Sequence, residues 1–264
     1  MGDTKTGRLR LDCPKHGLYE AEVVRVRIGS RLQEFPMCCP ECEREKMERL
    51  ETDEALAAER HRLREWREMR IPENLIAADL ENFVPCSGEL SGHLETCRKF
   101  ARNPGGRKLV MLGNNGNGKT HLAVGILKKT GGQLWTAYEI GARLRECYGG
   151  GGSEGAFLHG LCNAALLVID EAEKAKDSEA KRQWLSHVLG KRYDARLPTV
   201  LISNCHFMRN CTEGKGAVPC PRCIEHHLER DVLSRLVERG EMLNFSGEDY
   251  RRKIRAAAKA GGGK

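Results

Sequence analysis

The chain has 264 residues, 31% of them charged and only 5% aromatic, and carries a formal net charge of +7. Its length allows one α/β domain plus a small accessory module, and its charge fits an anionic partner such as nucleic acid. No membrane association is expected: no apolar run approaches the length of a span, and "MGDTKTGRLRLDC" lacks the apolar stretch of a signal peptide.

A cytoplasmic location follows as the expectation, and there the twelve cysteines stay reduced, available for metal ligation or burial rather than disulfides. Residues 1–42 read as short β-rich segments, with alternation in "YEAEVVRVRI" between two cysteine-bearing knuckles. Cys13-Pro-Lys-His16 and Cys39-Pro-Glu-Cys42 form a Cys₃His set typical of a structural zinc ribbon, with Cys38, next to Cys39, a one-residue alternative for that ligand. So small a module has little core, and metal would supply much of its folding energy.

Residues 43–70 combine good helix formers, many charges and neither Gly nor Pro, which predicts one long, mostly solvated linker helix. "IPENL" ends it, since Ile71 precedes a proline. From there the pattern is α/β. "RKLVMLG", "QLWTAYEI", "AALLVIDEAE" and "PTVLISN" read as strands, with "KTHLAVGILKK" and "EAKRQWLSHVLGKRYDA" as helices between them. Alternation of this kind predicts a parallel sheet flanked by helices. The expected organisation is a zinc module at 1–42, a linker at 43–70, an α/β domain at 71–253 with a cysteine-rich insertion at 205–227, and a basic tail at 254–264.

Gly113-Asn114-Asn115-Gly116-Asn117-Gly118-Lys119-Thr120 is a full GxxxxGK[ST] loop between a strand and a helix. The glycines let backbone N–H groups turn inward around the phosphates of ATP, and the helix N-terminus adds partial positive charge. Lys119 can reach the β- and γ-phosphates, and Thr120 can hold Mg²⁺. Asp170, closing "LLVID", can hold the metal through water, and the adjacent Glu171 can polarise the attacking water. Asn204, at the end of "TVLISN", is placed to touch the γ-phosphate or the water.

A second thiol cluster lies in "CHFMRNCTEGKGAVPCPRCIEHH". Cys211, Cys220 and Cys223 read as three ligands of a second Zn²⁺. The fourth could be Cys205, His206, His226 or His227, with Cys205 preferred for a Cys₄ site.

At this point the chain, over residues 70–253, resembles the DnaC/IstB-type AAA+ ATPases. The resemblance rests on "IPENLIAADLENFV", "GNNGNGKTHLAVGIL", "LLVIDEAE", "KRYDARLPTVLISN" and "RDVLSRLVERGEMLNFSGEDYR", which follow in the family's order. It implies an AAA+ P-loop NTPase fold, with Arg235 matching the arginine finger of a neighbouring subunit and Arg230 in reserve. It also implies self-assembly into an oligomer or spiral. A zinc module ahead of a linker is similar to helicase loaders of bacterial or phage type, which implies a DnaB-type hexameric helicase and single-stranded DNA as partners. Within the same resemblance, a transposition helper is the alternative; a nucleotide-switched zinc adaptor is the alternative of another class.

Overall fold

A computed structural model describes residues 7–28, 31–177, 179–211, 220–238 and 240–247. The basic tail expected at 254–264 lies outside them, as does the middle of the cysteine-rich insertion. Contacts divide the chain into two compact units, Met1–Arg64 and Glu65–Lys264.

In the first unit, β1 (Gly7–Cys13), β2 (Gly17–Ile28) and β3 (Arg31–Pro36) form an antiparallel sheet in that order. Alternation along β2 turns Ala21 and Val23 inward, each 2% exposed. Val24 pairs with Phe35 on the opposite face, and both are exposed. The helix α1 (Pro40–Glu68) buries none of its residues. Met47, Leu50 and Leu56 of its loose apolar stripe are exposed, so helix propensity rather than burial holds this stretch, as a mostly solvated helix requires.

The end of α1 belongs to the second unit. Arg70 adopts left-handed φ (62°), Arg70 N–H bonds Arg67 C=O and Ile71 N–H bonds Trp66 C=O, closing a Schellman cap. The Arg70 guanidinium then stacks 3.5 Å above the Trp135 ring and pairs with Glu139.

The second unit continues through α2 (Gly88–Arg102), β4 (Lys108–Gly113), α3 (Lys119–Thr130), β5 (Gln133–Thr136) and α4 (Ala137–Tyr148). It then runs through α5 (Glu154–Asn163), β6 (Leu167–Asp170), α6 (Glu179–Asp194), β7 (Thr199–Ser203), α7 (Arg230–Glu238) and β8 (Gly240–Phe245). The five strands pair in parallel in the order β5-β6-β7-β4-β8. Four were expected. β8 is the addition, and "QLWTAYEI" is strand only to Thr136, where a capping box between Thr136 and Glu139 starts α4.

Each strand turns alternate residues to opposite faces, so the sheet has two cores. Leu109 and Met111 of β4 pack with α2 and α3, including Phe100, Leu122 and Ile126. Val110 and Leu112 pack with Ile140, Leu161, Trp184 and Val188 of the helices on the other face. Both faces being covered explains why these strands read as continuous apolar runs. One buried cation joins the second core: Arg192 is fully buried and donates to Thr199 Oγ1 and to the carbonyls of Leu161, Cys162, Ala164 and Pro198.

Candidate functional site

The register of the parallel sheet assembles the nucleotide residues. Leu112 lies opposite Ser203, and Leu201 opposite Ile169, so Gly113, Asp170 and Asn204 emerge together at the carboxyl ends of three adjacent strands. That edge is where open parallel sheets bind ligands, because crossover helices start there with their N–H groups free.

The loop 113–118 fits phosphate by its backbone. Gly118 has φ 86°, and a Cβ there would stand 2.5 Å from the Phe83 ring; a Cβ on Gly113 would stand 2.1 Å from the Phe245 carbonyl oxygen. Only glycine lets the loop keep this path. Asn117 is 6% exposed and its amide Nδ2 donates to the carbonyls of Phe245 and Gly247, tying the loop to the end of β8. Lys119, 5% exposed, donates to the carbonyls of Gly113 (2.8 Å) and Asn114 (2.6 Å), which holds its ammonium beneath the loop. Asn114 and Asn115 are exposed at the tip.

Thr120 Oγ1 donates to Asp170 Oδ2 at 2.8 Å, joining the two groups expected to hold Mg²⁺. Burial raises the Asp170 carboxyl above its ordinary range, against the Thr120 hydroxyl and the Glu171 N–H, which both favour its ionised form. Glu171 N–H donates to Asp170 Oδ1 at 2.7 Å, and Glu171 itself sits at φ 54°, left-handed. Its carboxylate pairs with Lys174 at 2.6 Å.

Sequence reasoning missed Glu173. It lies in a 3-10 turn (Ala172–Asp177) and accepts from Ser203 Oγ (2.8 Å), Asn204 N–H (3.2 Å) and Asn204 Nδ2 (2.8 Å). The orientation of the Asn204 amide is therefore set by Glu173. An acid two places beyond "IDE" beside a strand ending Ser-Asn was the available signal. Arg235 lies on α7, half-buried, with its guanidinium 5.7 Å from the Tyr193 ring centre and against Gly190 of α6, whereas Arg230 is exposed in the first turn.

Both cysteine clusters converge. Cys13 Sγ, Cys39 Sγ and Cys42 Sγ lie 3.7, 3.7 and 3.3 Å from His16 Nδ1, and Cys13 Sγ lies 3.5 Å from Cys42 Sγ. A tetrahedral Zn²⁺ would hold such ligand atoms about 3.5–3.8 Å apart, so this set fits the ion. The backbone N–H groups of Lys15 and His16 draw the Cys13 thiol down to about 6, while its hydrogen bond with Cys13 pushes Cys42 up to about 11. The second set is His206, Cys211, Cys220 and Cys223, and the expected Cys205 is replaced by its neighbour. Cys205 and Phe207 both turn into the second core, which carries His206 between them to the other side. His226 and His227 lie outside the set, and the His227 Nε2 bonds the Pro221 carbonyl at 2.8 Å.

A family model described as IstB-like ATP binding protein matches residues 44–258, most of the chain. The chain belongs to the IstB-like ATP binding proteins. Among curated relatives, this IstB-like protein is 27% identical over 136 residues to the replicative helicase loader DnaC of Escherichia coli (strain K12). That match covers 48% of this chain and 55% of the relative, so the chain spans about half the length of the curated relative it matches. Among solved structures, it resembles the crystal structure of the DnaC helicase loader (TM-score 0.55, 24% identity, 66% of this chain and 100% of that one). It also resembles replication initiator DnaA bound to AMPPCP and single-stranded DNA (TM-score 0.51, 19% identity, 66% and 51%). The IstB-like protein therefore has the AAA+ P-loop NTPase fold that its strand order and loop imply. None of the described helices is long and apolar enough to cross a membrane.

Proposed function

We propose that this IstB-like protein is an ATPase that loads a hexameric replicative helicase of DnaB type onto single-stranded DNA. The observation that carries the reading is the convergence of the 113–120 loop, Asp170 and Asn204 on one sheet edge in a chain similar to DnaC. ATP with Mg²⁺ supplies the phosphoanhydride and the charge that neutralises it. Lys119 and the loop amides bind the phosphates, Thr120 and Asp170 hold the metal, and Glu171 orients and polarises water once it leaves Lys174. Asn204 positions the same water or the terminal phosphate, and Arg235 completes the site of a neighbouring subunit in an oligomer or spiral.

The first unit is the helicase-docking module, built on a Zn²⁺ held by Cys13, His16, Cys39 and Cys42. Its exposed sheet face supports this role: Val24 and Phe35 pair there, 46% and 47% exposed, beside Glu22 and Glu20 opposite Arg8 and Arg10, a mixed apolar and charged surface open to a protein partner. The net charge of +7 favours DNA as the second partner.

A second reading, a transposition helper ATPase, is favoured by the family whose model the chain matches. One set of assays separates them. Lys119→Ala should abolish ATP binding, Glu171→Gln should bind without turnover, and the wild-type protein should retain a replicative helicase rather than a transposase on a column. Unchanged nucleotide affinity in Lys119→Ala would sink the nucleotide assignment, and retention of a transposase alone would sink the loader reading.

A further inference from the structure

We infer that His206, Cys211, Cys220 and Cys223 form a second structural zinc centre, and that this ion sets the position of α7, and with it Arg235, relative to the end of β7.

The geometry is that of a closed tetrahedral site. Cys220 Sγ lies 3.5 Å from both Cys211 Sγ and Cys223 Sγ, and His206 Nε2 lies 3.7 and 3.5 Å from Cys220 Sγ and Cys223 Sγ. All four ligand atoms fall within 4.8 Å of one another. Zn–S bonds of about 2.3 Å and Zn–N bonds of about 2.0–2.1 Å place tetrahedral ligands about 3.8 Å apart for S–S and about 3.5 Å for S–N. A disulfide needs sulfurs about 2.05 Å apart, whereas Cys220 Sγ stands 3.5 Å from each of the other two. Nor do the thiols join either apolar core, although Cys223 is fully buried. Cys97 and Cys205 belong to the two cores, and Cys211, Cys220 and Cys223 belong to neither.

The surrounding backbone is built to hold the ligands. Cys223 N–H bonds Cys220 C=O at 2.9 Å, closing the Cys-Pro-Arg-Cys knuckle. His206 N–H bonds Arg222 C=O (3.0 Å) and Ile224 N–H bonds His206 C=O (2.9 Å), so the histidine and the knuckle run side by side as a parallel bridge. Both Glu225 carboxylate oxygens accept from Met208 N–H at 3.0 Å, a further link between the two ends of the insertion. With four protein ligands no position is open to substrate, so the ion is structural.

Two ligands come from the chain just after Asn204, and two from the chain just before α7. The ion therefore shortens the covalent path between β7 and Arg235 from the whole insertion to a single coordination sphere. This second step rests on the proposed function, because it matters only if Arg235 serves hydrolysis. A displacement of about 1 Å in such a group can cost roughly 100-fold in rate.

The test is zinc content of the purified full-length protein by atomic emission. Two ions per chain are expected in the wild type, one in Cys220→Ser, one in Cys39→Ser, and two in both Cys205→Ser and His206→Cys. After exchange into Co²⁺, His206→Cys should move the d–d bands of one site toward those of a four-thiolate centre, and Cys205→Ser should leave them unchanged. Cys220→Ser should bind ATP within about 2-fold of wild type but hydrolyse it at least about 10-fold more slowly. Wild-type zinc content in Cys220→Ser, or loss of an ion in Cys205→Ser, would overturn the centre. Full turnover by a Cys220→Ser protein that has lost its ion would overturn the coupling to Arg235. Two ions in a wild-type protein with no ATPase activity would refute the proposed function and uphold the metal centre.

Discussion

Replacing Glu173 with glutamine changes one oxygen for an amide at a carboxylate whose two oxygens are both in use. Oε1 accepts from Asn204 Nδ2, and Oε2 accepts from Ser203 Oγ and Asn204 N–H. A glutamine cannot accept on both sides. If its oxygen stays toward Ser203 and the Asn204 N–H, its NH₂ meets the NH₂ of Asn204, and Asn204 must flip to present its own oxygen. The edge of Asn204 turned away from Glu173 would then exchange acceptor for donor. Hydrogen bonds to a charged group contribute about 1.5–3 kcal/mol, and neutral ones nearer 1. With geometry kept and charge lost, the cost should be about 1–2 kcal/mol, a fall in melting temperature of roughly 2–8 °C for a domain of this size. Reversing the hydrogen-bonding edge that, on the proposed function, positions the water or the terminal phosphate should lower kcat about 10- to 100-fold with nucleotide affinity nearly constant. Thermal melting and steady-state hydrolysis on the same preparation would measure both. Glu173→Gln with wild-type kcat would refute the claim that Glu173 orients Asn204.

Arg235→Ala should bind ATP normally and lose turnover, and mixing it with Glu171→Gln subunits should restore some hydrolysis, because each subunit supplies what the other lacks. No rescue in the mixture would place the action of Arg235 within its own subunit. Arg192→Met should destabilise the α/β unit by about 3–5 kcal/mol, because it leaves several buried carbonyls without donors in a site that already draws the Arg192 guanidinium down to about 10. Denaturant unfolding should show the loss as a lower midpoint at unchanged slope; a midpoint equal to wild type would refute it.

The nucleotide loop, Asp170 and the end of β7 were legible because each is a local pattern: an apolar run, then a polar residue at the sheet edge. Glu173 was not, since its reach to Asn204 depends on the left-handed turn at Glu171, a conformation that no composition signals for glutamate. β8 escaped because "GEMLNF" is short and mixed, and it gains its place only by pairing with β4. α2, too, was overlooked, although Ser87 accepts from Leu90 N–H as its cap and the apolar residues beyond it follow helical spacing. In the second thiol cluster the fourth member is His206, one of the four alternatives open in the sequence, and not the preferred Cys205. The alternation Cys205-His206-Phe207 carried the answer, since the core takes 205 and 207 and leaves 206 for the thiols.

Glu171 has a consequence for how this protein would respond to selection. A non-glycine residue held at φ 54° gives up about 1 kcal/mol relative to glycine, which would adopt that turn freely. A library screened for heat resistance alone would therefore drift toward glycine at this position, keeping the turn that directs Asp170 to Thr120 and Glu173 to Asn204. On the proposed function, such clones would fold better, bind nucleotide and lack the carboxylate that activates water. On the same reading, glutamate at this left-handed position trades backbone stability for a carboxylate beside Asp170.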